Sequence, residues 1–201
     1  INKDKSEVIV FGKEEKEMVA GIKRVESIKY LGLKIEDTKN IFSSYISEKI
    51  KKAKIYKFWI NDVLRGKVYK ARIGKVFWKG SILPTILHGM QACKLRKMDI
   101  KAIDKIQRQI MKQILDLPSR APNAYVQGEL GFSTQKYRDM RNKLALLQHI
   151  FQNNPKLKEL INLEWNRGVA WIEMCKKYLT KIELSLEDLK QMDKNSNSKR
   201  R

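Results

Sequence analysis

Four cations recur at helical spacing near the middle of this chain: Lys101, Lys105, Arg108 and Lys112. At about 100° per residue they fall within roughly 60° of one another, opposite a stripe of Ile100, Ile103, Ile106, Ile110, Ile114 and Leu117. Such a ridge can hold a row of phosphates, and it can equally be an ordinary solvated face. Asp104 beside it lowers the charge only in part. A second cationic set lies earlier. Lys51 and Lys52 share one side of a helical stretch with Ile55, Phe58 and Trp59, while Lys49, Lys54 and Lys57 lie around its edges. Rings among lysines can stack on bases or sugars while ammonium groups hold phosphates. The preferred expectation is that Phe58 and Trp59 are buried against a neighbouring helix and that the lysines carry the contact with a polyanion.

Other chemistries find few residues. Asp4, Asp37, Asp62, Asp99, Asp104 and Asp116 are scattered, and no Asp-Asp pair occurs that could share two metal ions. Cys93 and Cys175 stand far apart without a CxxC or a Cys/His cluster, so neither a zinc site nor a disulfide framework is indicated. A reducing compartment, nuclear or cytoplasmic, is expected. No apolar run approaches the roughly 20 residues a membrane span needs, and the first residues lack a signal-peptide layout.

The charge of the whole chain agrees with the ridges. Its 201 residues carry 43 Lys and Arg against 22 Asp and Glu, a net charge of +21. An excess of this size attracts polyanions, with nucleic acid the preferred partner and an acidic membrane surface its rival. A lysine-rich solubilising surface is the bland alternative. With 42% hydrophobic residues the chain can build a core, so a folded chain is expected rather than wholesale disorder. No zinc finger, RNA-recognition signature or basic zipper is present, so contact is expected with phosphate backbone more than with base sequence, and affinity should fall steeply with salt.

The elements that must position these residues change character along the chain. KSEVIVFG, residues 5–12, reads as a strand, KEEKEM as a solvated loop, and IKRVESIKYLGLKI, residues 22–35, as two extended pieces. Residues 1–37 are expected to form a small antiparallel sheet. From about residue 41 the period is helical: Ile46, Ile50, Ala53, Ile60 and Leu64 mark a helix ending near Gly66. A second helical stretch, 69–93, should kink or break near Leu83 because Pro84 follows. A third, 98–117, is closed by Pro118, and a short helix lies around APNAYVQGELG. Ser133 is placed to cap the next helix, with Tyr137, Met140, Leu144, Leu147 and Phe151 as its inner face. Further helices are expected at 155–165, 169–182 and 185–192, the last opened by Ser185, with Trp165 and Trp171 as core anchors. The fold class is therefore mainly α, a helical bundle preceded by a small antiparallel hairpin or sheet. Divisions are expected at 1–40, 41–152, 153–193 and a polar basic tail, 194–201.

INKDKSEVIVFG followed by YLGLKI resembles the end of the palm in reverse transcriptases of non-LTR retrotransposons. There an Asn-x-x-Lys-Ser/Thr motif leads into a strand and a Tyr-Leu-Gly hairpin follows. SILPTILHGMQA, IDKIQRQIMKQILDLP and APNAYVQGELGF are similar, in order, to the family's serine, proline and Tyr/His-Gly block, its basic helix and its Glu-Leu-Gly segment. The resemblance covers about residues 1–150.

It implies roles residue by residue. Lys5 would stand near the incoming nucleotide as a proton donor to the leaving pyrophosphate, where negative charge builds up. Tyr30, Leu31 and Gly32 would form the hairpin that holds the primer end. The helices after residue 41 would be the thumb, closing on the template–primer duplex. His88 stands where an aromatic residue is common in the family; a core histidine is preferred over a phosphate contact. The carboxylates that hold Mg²⁺ in the intact enzyme would belong to fingers and palm upstream of Ile1, so this chain would bind nucleic acid without polymerase activity of its own. A free-standing basic helical binding or interaction protein is the other expectation.

Overall fold

The computed structural model describes residues 6–11, 18–19, 21–38 and 40–191. The expectations placed on Lys5 and on the tail, 194–201, lie outside the described residues. The chain is mainly helical with small β structure at its start, and it divides into two compact units. One comprises Ile1–Met90 and Leu95–Phe132; the other comprises Gln91–Lys94 and Ser133–Arg201. The divisions expected at 40 and 152 do not coincide with these units.

Among the described residues the first unit has five short strands, β1 (Glu7–Val8), β2 (Met18–Val19), β3 (Ile22–Arg24), β4 (Ser27–Tyr30) and β5 (Leu33–Glu36). They form two sheets rather than one. β4 and β5 make the expected antiparallel hairpin, pairing Tyr30 with Leu33 across a two-residue turn. Leu31 and Gly32 both take positive φ, 48° and 81°, the left-handed pair a tight right-twisting hairpin requires. In the other sheet β3 lies between β1 and β2, and it pairs antiparallel with β2 but parallel with β1. The wholly antiparallel sheet expected over 1–37 is thus corrected. Strands of two or three residues carry alternation but no record of direction, which the path of the chain decides.

Among the described residues five α-helices complete this unit. α1 (Ser43–Leu64) buries Tyr45, Ile46, Ala53, Ile60 and Leu64, nearly the stripe the periodicity marks. α2 (Lys70–Phe77) runs into a π-helical turn, Trp78–Ile82, and α3 (Leu83–Leu87) starts where the break was expected. Pro84 cannot donate to the carbonyl four residues back, and its ring crowds that position; widening of the preceding turn relieves both. Trp78 in that turn is fully buried and stacks on Phe132, with ring centroids 6.1 Å apart. α4 (Lys97–Ile114) buries Ile103, Ile106, Ile110, Met111 and Ile114. Gly74 of α2 lets it approach α4 closely, because a Cβ there would lie 2.6 Å from Cγ1 of Ile114.

α4 ends three residues before the expected Leu117. Asp116 turns left-handed at φ 56°, its N–H donates to the Gln113 carbonyl, and the Leu117 N–H donates to the Lys112 carbonyl at 2.8 Å. This is a Schellman closure with Asp in the position glycine usually fills, so Pro118 follows a helix already ended. α5 (Asn123–Leu130) leads to Phe132.

The second unit packs α6 (Gln135–Asn153), α7 (Pro155–Glu164), α8 (Ala170–Lys181) and α9 (Leu186–Gln191). Its core contains Leu144, Leu147, Phe151, Ile161, Ile172, Cys175 and Leu179, with Trp165 and Trp171 partly buried against it. The cap of α6 is Thr134 and not Ser133; its hydroxyl accepts from the Tyr137 N–H at 3.3 Å. Tyr137 is half-exposed, and Asp139 and Lys143 are buried on the inner side in its place. Ser185 opens α9 as expected, in a reciprocal capping arrangement with Asp188.

Candidate nucleic-acid interface

The α4 ridge is present, though its four cations are not equivalent. Arg96 starts the helix. Its N–H and its guanidinium both donate to the Asp99 carboxylate, at 3.0 and 2.9 Å, fixing where the first turn begins and therefore which side faces inward. With Ile103, Ile106, Ile110 and Ile114 buried, Lys101 and Lys105 are exposed, while Arg108 and Lys112 are half-buried. Lys112 Nζ donates to the Ser119 carbonyl at 2.6 Å, so one member of the row reaches over the turn that follows the helix.

Two of the sequence motifs, far apart in the chain, meet in the first unit. The Leu31 carbonyl at the β4–β5 turn lies 3.3 Å from Nε2 of His88, which donates when that nitrogen carries the proton. Next to His88, Gly89 takes φ 70°, and a Cβ there would lie 2.4 Å from Cδ2 of Leu33. The hairpin therefore sits against the backbone just after α3. Lys34 Nζ bonds Glu36 at 2.9 Å and Ser44 Oγ at 3.1 Å, tying β5 to α1. The hydrogen bond from Lys34 holds the Glu36 carboxyl below the usual carboxylate range. Tyr30 and Leu31 point outward, 63% and 76% exposed. His88 is exposed as well, which corrects the expectation of a core histidine.

Lys49 is a second correction. It is buried, its Nζ donates to the Thr85 carbonyl at 2.8 Å, and it lies 5.2 Å from the centroid of the Tyr45 ring. Tyr45, one turn earlier on α1, donates its hydroxyl to the His88 carbonyl at 2.5 Å. Both carbonyls belong to the end of α3, where a helix leaves its last oxygens without intrahelical donors. Lys49 thus joins α1 to α3 and is no phosphate contact; burial, with the nearby charge of Lys52, pushes its pKa down. Helical spacing carried this signal: Lys49 stands three residues after Ile46 and four before Ala53, on the buried stripe itself, with Tyr45 one turn before it.

The other lysines of α1 face outward. Lys51, Lys52 and Lys54 are exposed and Lys57 is half-buried. Phe58 and Trp59, expected inside, are 66% and 57% exposed, and Ile55 beside them is 54% exposed. α4, α2 and α3 pack on the opposite side of α1, along Ile46, Ala53, Ile60 and Leu64, and leave this side uncovered.

Sequence reasoning missed one polar cluster, in the second unit. Asp139 and Lys143 form a fully buried ion pair one turn apart on α6, and Tyr178 of α8 donates its hydroxyl to the second Asp139 oxygen at 2.6 Å. Cys93 and Cys175 lie buried in the same unit, their thiols pushed up to about 12, chiefly by burial. The Asp–Lys spacing is visible in the sequence, but an exposed helix pair looks the same. Among the described residues no three His, Cys, Asp or Glu side chains converge to hold a metal ion. No helix among them is long and apolar enough to cross a membrane. Comparison with protein-family models, with curated proteins and with solved structures finds no match to this chain.

Proposed function

We propose that this chain is a template–primer-binding portion of a retroelement reverse transcriptase, in which the β4–β5 hairpin belongs to the end of the palm and the helices after it act as a thumb on a nucleic-acid duplex. The observation that carries the reading is the α4 row, where the isoleucine stripe is buried and Lys101, Lys105 and Arg108 stand on the opposite side. Phosphates spaced along a duplex meet such a row without base readout. The placement of the Tyr30–Gly32 turn against His88 and Gly89 supports it further, since these are the motifs that carry the family resemblance.

Within a parent enzyme the reaction is templated DNA synthesis, in which Mg²⁺ would be held by paired carboxylates. This chain contributes positioning.

The test is a titration against an RNA–DNA hybrid and a matching single strand at several salt concentrations. It is repeated with Lys101, Lys105, Arg108 and Lys112 all changed to Gln. Each lost phosphate contact lowers the slope of log affinity against log salt by roughly 0.9 on a B-form duplex. With Lys112 already engaged, the expected fall is roughly 3. A slope and an affinity unchanged by the quadruple change would sink the assignment of the phosphate track to α4. Absence of any binding at low salt by a folded chain would sink the reading itself.

A further inference from the structure

The outer face of α1 departs from what a buried-core pattern demands. Lys51, Lys52, Ile55, Phe58 and Trp59 project within an arc of about 120°, over roughly 12 Å of helix. Three large apolar side chains in this arc are more than half exposed. Trp59 is braced edge-on by Tyr56 at 5.8 Å between centroids, and the Lys57 ammonium lies 5.9 Å from the centroid of Phe58. The acids of α1 are Glu48 and Asp62, and Asp62 is paired with Arg65 at 3.2 Å. Residues 51–76 as a whole carry nine Lys and Arg against Asp62 alone. A contiguous apolar patch of this kind marks a binding surface, and the lysines around it favour a polyanion over an apolar partner.

We infer that this face of α1 is a stacking platform for an unpaired nucleic-acid strand, with Phe58 and Trp59 under the bases and Lys51, Lys52, Lys54 and Lys57 on the phosphates. A duplex hides the faces of its bases, so exposed rings beside it gain little; a single strand offers every base. The inference rests on the nucleic-acid reading above and deepens it: α4 takes the paired part of a substrate, and α1 takes a part that has left the pair.

The experiment uses the full chain with a fluorescent oligothymidylate and, separately, a blunt DNA hairpin, comparing wild type with Phe58→Ala/Trp59→Ala. Both positions are exposed, and circular dichroism checks that the helix content is kept. Each ring that carries a base should be worth roughly 5- to 150-fold in single-strand affinity, with the salt slope and hairpin binding unchanged. Changing Lys51, Lys52, Lys54 and Lys57 to Gln should lower the salt slope for the single strand. Trp59 also reports, because it is 57% exposed while Trp78 is fully buried and Trp165 and Trp171 are partly buried. Its fluorescence should be quenched by the oligothymidylate, and Trp59→Phe should remove most of that quenching.

Three results would overturn the inference. If single-strand affinity is unchanged in Phe58→Ala/Trp59→Ala while wild type binds both probes, the platform is wrong and the duplex reading stands. A shift from oligomer to monomer on the double change, seen by sedimentation without loss of oligothymidylate binding, would make this face a contact between copies. Failure of wild type to bind either probe would overturn the inference together with the nucleic-acid reading.

Discussion

Replacing Asp139 by alanine tests the second unit most sharply. The Asp139 side chain is 1% exposed and faces that of Lys143, which is 0% exposed, while its other oxygen accepts the Tyr178 hydroxyl at 2.6 Å. Removal leaves the Lys143 charge buried without that carboxylate, and breaking a buried pair in this way costs roughly 3–5 kcal/mol. A unit of about seventy residues is stable by roughly 4–10 kcal/mol. The loss is therefore comparable with everything that holds the unit together. Hydrogen exchange is the assay, because it reads the units separately. Amides of α6 and α8 should lose most of their protection, whereas those of α1 and α4 should keep it. Changing Asp139 to Leu, Lys143 to Met and Tyr178 to Phe together should cost much less than the single change, since no buried polar group is stranded. If Asp139→Ala slows or leaves unchanged the exchange of α6 and α8, or costs under about 1 kcal/mol in urea unfolding, the pair is not desolvated as its burial indicates.

Two further outcomes follow from the same geometry. Gly89→Ala places a Cβ against Leu33 in a left-handed conformation and should cost roughly 2–5 kcal/mol, more than Gly66→Ala, which has the same backbone sign but open space; equal urea midpoints would remove the crowding argument. Cys93 and Cys175, with thiols at about 12 against an ordinary 9.0, should resist a thiol reagent at pH 8 until the chain is unfolded. Their raised values stabilise the fold fully below pH 9 and progressively less as pH climbs towards 12. The loss should reach about 1.4 kcal/mol per thiol by pH 10, and Cys93→Ala/Cys175→Ala should flatten that alkaline decline.

Much of the architecture is legible in the residues. Period sets the α1 and α4 stripes, because burial on one side of a helix demands apolar residues every third or fourth position. Pro84 marks the break before α3, because a missing N–H is a local fact. Boundaries were less legible. Asp116 ends α4 ahead of Pro118, and Thr134 caps α6 in place of Ser133, because either residue satisfies the local rule and the surrounding packing chooses.

What the sequence by itself determined about this protein is its helical class, its hairpin, its charge and the row of cations on α4, all consequences of composition and spacing along one chain. Tertiary structure decided which cations are available. Lys49 and Lys51 are the same residue type on opposite sides of α1, and it is the end of α3, packed on one side only, that gives Lys49 a carbonyl to cap while Lys51 faces outward. It decided equally that Phe58 and Trp59 lie open, since no other described element packs over that side of α1, and that Asp139 and Lys143 close on each other inside the second unit. Exposure belongs to the neighbours of a side chain, and those neighbours arrive from elsewhere in the chain.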